Sequence, residues 1–126
     1  MALKKLKKAD WQSYLELISH GIARGLRAEL EVQPFRVGDH VEAAWVLVEW
    51  LVYRPDTDLL AISIKSAERL VTVAQPRDVF LAAKRHGIVG LEIVGPDMTR
   101  RVVRFLQAFS LPPHLRRELR GRGKES

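Results

Sequence analysis

His40-Val41-Glu42-Ala43-Ala44-Trp45-Val46-Leu47-Val48-Glu49-Trp50-Leu51-Val52-Tyr53 is the stretch on which the fold turns. It contains neither glycine nor proline, and β-branched and aromatic residues dominate it, as in an extended strand. Alternation puts Val41, Ala43, Trp45 and Leu47 on one side and Val46, Val48 and Trp50 on the other. Trp45 and Trp50 then face opposite ways, and so do Glu42 and Glu49. A strand apolar on both faces lies centrally in a sheet or is covered twice. The rest of the chain must supply that cover.

On the upstream side, Leu26, Ala28, Leu30 and Val32 alternate with Arg27, Glu29, Glu31 and Gln33, which reads as a half-buried strand. Pro34 stops it, and Gly38-Asp39 supplies a turn into the central strand. Before it, Trp11, Leu15, Ile18 and Ile22 recur at helical spacing over residues 10–22. Asp10 is the expected N-cap, Gly21 or Gly25 the expected stop, and His20 suits the negative helix end. Downstream, Arg54-Pro55-Asp56-Thr57-Asp58 is turn chemistry, and Leu59 to Ile64 returns as the second arm of a hairpin.

Residues 65–90 read two ways. Pro76 can start a helix with Asp78 in its first turn and Gly87 past its end. Asp78 to Ala82 can equally be a short strand, and Val71 and Val73 favour extension. Leu91, Ile93, Val102, Val103 and Phe105 flank Gly95-Pro96-Asp97-Met98-Thr99, which predicts a second hairpin. Pro112-Pro113 ends the domain. The expected fold is therefore α+β, with an N-terminal helix packed on a mainly antiparallel sheet of about five or six strands. The single domain spans residues 1–112, and residues 113–126 form a basic, flexible tail with helical character only over Leu115–Leu119.

The order of these pieces resembles a family of short bacterial proteins catalogued only as a domain of unknown function. The matching stretches are Leu6 to Tyr14, Ala28 to Val32, Gly38 to Trp45, Tyr53 to Leu60, Pro76 to Phe80 and Leu91 to Val94, covering roughly residues 3–112. The resemblance implies an extended conformation for Pro76–Phe80. It implies no activity. The basic residues after Pro113 depart from the short ends of such proteins, so a role placed there would belong to this chain alone.

Charge is unevenly spread over the 126 residues. The formal net charge is +6. Lys4, Lys5, Lys7 and Lys8 sit at one end. Arg116, Arg117, Arg120 and Arg122 sit at the other, with a nearly neutral body between. Such ends can contact phosphates without sequence specificity or simply keep a protein soluble. The Arg100-Arg101-x-x-Arg104 cluster could widen that surface, but no helix-turn-helix or RNP pattern accompanies it. The chain has no cysteine, which removes disulfides, thiolate metal sites and thiol nucleophiles. No apolar run approaches the roughly 20 residues of a membrane span, and no h-region follows the basic start. The chain is expected to be cytoplasmic, with no membrane partner.

Catalytic patterns are missing too. His20, His40, His86 and His114 form no helical metal pair. No serine, Ser63 and Ser66 included, stands in a nucleophile motif. Glu42 and Glu49 are read as solvent-facing or arginine-paired. Gly87 and Gly90 are too few for a phosphate cradle. No enzyme activity, cofactor or metal is expected.

Three readings of function remain. The first is a protein-interaction module, able to pair with a protein partner or itself as a homodimer, using Trp50 and Val48. The second is a weak, sequence-independent nucleic-acid binder using the basic ends. The third is a small-ligand domain with a pocket between helix and sheet.

Overall fold

The computed structural model describes residues 2–65 and 69–110, and of residues 33–37 and 40–43 it describes the backbone alone. The chain runs β1 (Ala2–Lys5), a short 3₁₀ turn (Lys8–Asp10), α1 (Trp11–Ala23), β2 (Ala28–Val37), β3 (His40–Arg54), β4 (Leu59–Ile64), β5 (Arg69–Ala74), β6 (Asp78–Lys84), β7 (Gly87–Val94) and β8 (Arg100–Phe109). All strands join in one antiparallel sheet, ordered β1-β6-β7-β8-β2-β3-β4-β5. The α+β class and the N-terminal helix are as expected. Among the described residues the sheet has eight strands rather than five or six. Two additions are short edge strands. β1 is made of the basic residues Lys4 and Lys5 with Ala2 and Leu3, a composition without a strand signal. The open alternative over 76–86 resolves as a strand, β6.

The helix buries Trp11, Tyr14, Leu15 and Ile18 against a core that draws on every strand from β2 to β8. Asp10 holds the N-cap position, yet its side chain does not bond the first-turn amides; a 3₁₀ turn leads in instead. The far end closes as a Schellman motif. Leu26 N–H donates to Gly21 O at 2.9 Å and Gly25 N–H to Ile22 O at 3.1 Å. Gly25 takes the left-handed conformation this requires, with φ of 116°. Trp11 stacks edge-on against Tyr53, with centroids 5.1 Å apart, and its indole N–H donates to Leu6 O at 3.2 Å.

β3 departs most from simple alternation. Its first half pairs with β2, from Val37↔His40 to Glu29↔Leu47. Its second half pairs with β4, from Val48↔Ile64 to Arg54↔Leu59. The register slips between Val48 and Trp50, so Glu49 is the extra residue of a β-bulge. A bulge resets which parity faces inward. Val46 and Val48 pack inward before it, Leu51 and Tyr53 after it. The strand is apolar on both faces, as expected, but the faces are made of different residues. Trp45, Leu47, Trp50 and Val52 form the outer row. The two tryptophans therefore share a face instead of opposing each other.

Candidate functional site

At the bulge, β3 leaves one neighbour and takes another. Past Leu47 it has no β2 partner. There Ser19 of α1 replaces the missing strand: its hydroxyl donates to Leu51 O at 2.6 Å and accepts from Leu51 N–H at 2.9 Å. Between the last β2 pair and this lock the two halves of the sheet part. The opening is a groove of about 620 Å³. Ile22, Leu26 and Val48 line it, with Trp50, Arg27 and Lys65 also on its walls.

On the other side of β3 the arrangement is reversed. β4 reaches only to Ile64, opposite Val48, and Lys65 N–H donates to Leu47 O at 2.9 Å. Alternation from Leu47 turns the backbone N–H and C=O of Trp45, Ala43 and Val41 the same way. No strand pairs with them there among the described residues. β2 in turn pairs with β8 only over Ala28–Leu30. The distal β2–β3 hairpin therefore runs beyond the rest of the sheet.

The outer row of β3 is unevenly covered. Arg104 of β8 lies over the Trp45 ring at 3.8 Å and pairs with Glu29 at 2.9 Å, so Trp45 is half-buried. Trp50 is 37% exposed. It stands opposite Ser63 of β4, which stands opposite Leu70 of β5, and Leu70 is exposed as well. Ser63 is buried and donates to Glu49 Oε2 at 3.1 Å; Glu49 itself is exposed, as expected. Val48, expected beside Trp50 on an interaction surface, is buried in the core. The bulge at Glu49 is the cause.

The basic ends are partly committed to the fold. Lys5 pairs with Asp78 and Lys8 with Asp58, each at 3.2 Å. Lys4 is half-buried and Lys7 exposed. Within the arginine cluster, Arg100 pairs with Glu92 and Arg104 with Glu29. Arg116, Arg117, Arg120 and Arg122 lie outside the described residues, as do Ser66, His114 and the side chains of His40 and Glu42. His20 and His86 are exposed.

Lys8 also belongs to a cluster that sequence reading missed. Tyr53 donates its hydroxyl to Asp58 Oδ1 at 2.6 Å. Burial, then this bond to a carboxylate, pushes the Tyr53 pKa up to about 12. The same bond, with Lys8 beside it, holds the Asp58 carboxyl below its usual range. Asp58 sits at φ of 50°, a turn conformation that Asp tolerates. The cluster ties the β3–β4 turn to the start of the helix. A second fixed carboxylate, Asp97, accepts from the Thr99 hydroxyl and amide at 2.6 and 3.1 Å, which lowers its pKa.

The helix-on-antiparallel-sheet architecture, with its bulged, shared central strand, defines a small α+β domain. The chain belongs to the family of unknown function DUF5335, whose sequence profile matches residues 2–114. It is also 26% identical over 112 residues to an uncharacterized protein of Aquifex aeolicus (strain VF5), an alignment covering 89% of this chain and 99% of that one. No solved structure matches the chain. No helix among the described residues is long and apolar enough to cross a membrane.

Proposed function

We propose that the protein is a non-enzymatic, cytoplasmic interaction module that pairs with a second copy of itself along the open edge of β3. The observation that carries this reading is the run Val41–Trp45, whose outward backbone groups have no strand beside them among the described residues. Unpaired edges recruit strands unless something blocks them. β1 is four residues long and ends in Lys4 and Lys5. The distal edge of β2 carries Pro34, which has no N–H, and a register slip between Val32 and Phe35. Among the described residues the β3 edge has no proline and no register slip of this kind over Val41–Trp45. Antiparallel pairing about Ala43 sets Val41 opposite Trp45 and Glu42 opposite Ala44, so no like charges meet, and it forms about six backbone hydrogen bonds.

Sedimentation velocity from micromolar to near-millimolar protein tests the proposal. Wild type is expected to dimerise and Ala43→Pro to be monomeric with unchanged circular dichroism, since the Ala43 N–H faces the open edge. A wild type that stays monomeric throughout overturns self-association. A dimer untouched by Ala43→Pro overturns the choice of edge.

A further inference from the structure

We infer that the groove beside the β3 bulge is a binding site for a small anionic amphiphile: one carboxylate or similar head on an apolar body. Three observations meet there. First, the groove is amphipathic, with Ser19, Arg27, Glu49 and Lys65 beside its apolar residues, and its apolar floor is fixed. Leu26 and Val48 are buried in the core and Ile22 packs against it. Ser19, also lining the groove, is locked to Leu51 by two hydrogen bonds. The volume, about 620 Å³, lies in the range of small-molecule sites.

Second, the net charge along the groove is positive. Arg27 and Lys65 both line the groove and are exposed. Neither forms an ion pair among the described residues, whereas Lys5, Lys8, Arg100 and Arg104 all do. Both cationic residues are held by their backbones. Arg27 O accepts from Leu106 N–H at 2.9 Å, and Lys65 N–H donates to Leu47 O at 2.9 Å. Glu49 also lines the groove and keeps its negative charge while it accepts the Ser63 hydroxyl, but the two cations outnumber it.

Third, Trp50 lines the same opening at 37% exposure. An indole there offers a flat apolar face beside the cations, with an N–H at its edge for a polar head. An apolar chain laid against Ile22, Leu26 and Val48 places a terminal carboxylate between Arg27 and Lys65. Charge-assisted bonds to both cations then fix its orientation.

The test uses decanoate below its micelle concentration, with decyltrimethylammonium as the counterpart of opposite charge. Two-dimensional ¹⁵N–¹H NMR on the full chain is the readout. Decanoate is expected to bind saturably, shifting the Trp50 indole and the amides of Leu26 and Lys65. Arg27→Gln combined with Lys65→Gln is expected to weaken it about fivefold or more. Ala23→Trp, on the exposed groove wall, is expected to abolish the shifts while leaving the rest of the spectrum in place. Equal affinity for the cationic amphiphile overturns the proposal. So do shifts scattered away from the groove, or affinity unaltered by either variant.

Discussion

Ser19→Ala isolates the contact that holds the helix to the split sheet. Its hydroxyl makes two hydrogen bonds, at 2.6 and 2.9 Å, to the backbone of a single residue, Leu51. Removing it leaves an N–H and a C=O without their partner. Each bond is worth about 1 kcal/mol net, and an orphaned buried group costs about 1–3 kcal/mol. The neighbouring groove admits water, which keeps the loss toward the lower end, at about 2–3 kcal/mol. Alanine's better helix propensity returns about 0.5 kcal/mol. The expected net loss is therefore about 2 kcal/mol, or about 8 °C in Tm for a domain of this size. Ser13→Ala is the control. Ser13 is exposed and bonds only Asp10 O at 3.2 Å, so the same propensity gain applies without the lock, and stability should change by no more than about 0.5 kcal/mol. Urea unfolding with an unchanged m value gives both numbers. If the two variants differ by less than about 0.5 kcal/mol, Ser19 does not hold the seam.

Gly90→Ala should cost about 3 kcal/mol, because a Cβ there would sit 2.5 Å from Val103 O, a backbone atom of the adjacent strand; chemical denaturation measures it. Asp58→Asn keeps a residue that accepts the positive φ but removes the carboxylate. Asp58 has a lowered pKa in the folded state, so its contribution is present above the unfolded carboxyl value and lost as pH falls through the folded one. Wild type should therefore lose stability below about pH 4, and the variant should lose less over the same range. The raised Tyr53 pKa acts at the other end. Its contribution is complete below the unfolded value near 10 and fades as pH rises toward 12, which the tyrosinate absorbance can follow alongside unfolding.

Much of the scaffold was legible because its signals are local. The helix announced itself by the 4, 3, 4 spacing from Trp11 to Ile22, and the hairpin turns by Gly38-Asp39, Pro55 to Asp58 and Gly95 to Thr99. β1 carried no such signal. Four residues rich in lysine have no strand propensity of their own, and they extend because β6 offers them an edge. The site was less legible for a related reason. A bulge without glycine leaves no local mark, and alternation read straight through Glu49 puts Trp50 beside Val48. One clue was present: apolar residues at 46 and 48 are followed by apolar residues at 51 and 53, a change of parity across a single charged residue. The pairing of Ser19 with Leu51 joins residues far apart in the chain, so nothing in either local sequence points to the other.

One inserted residue sets the groove and the lock together, and this can be tested by removing it. With Glu49 deleted, Val48 still faces in, Trp50 out, Leu51 in and Tyr53 in, so β3 regains plain alternation with no side chain changing face. What changes is position. The second half of β3 moves about 3.3 Å along its own axis, which carries Leu51 away from Ser19. The deletion should therefore fold, lose about the same 2 kcal/mol as Ser19→Ala, and show almost no further loss when the two changes are combined. Strong non-additivity is the signature of two changes acting through one contact. The deletion should also remove decanoate binding, because the groove exists only where the two ladders part. Additive losses, or a groove that still binds, would mean that the seam is held by the packing of Ile18 and Leu51 rather than by the bulge and its serine.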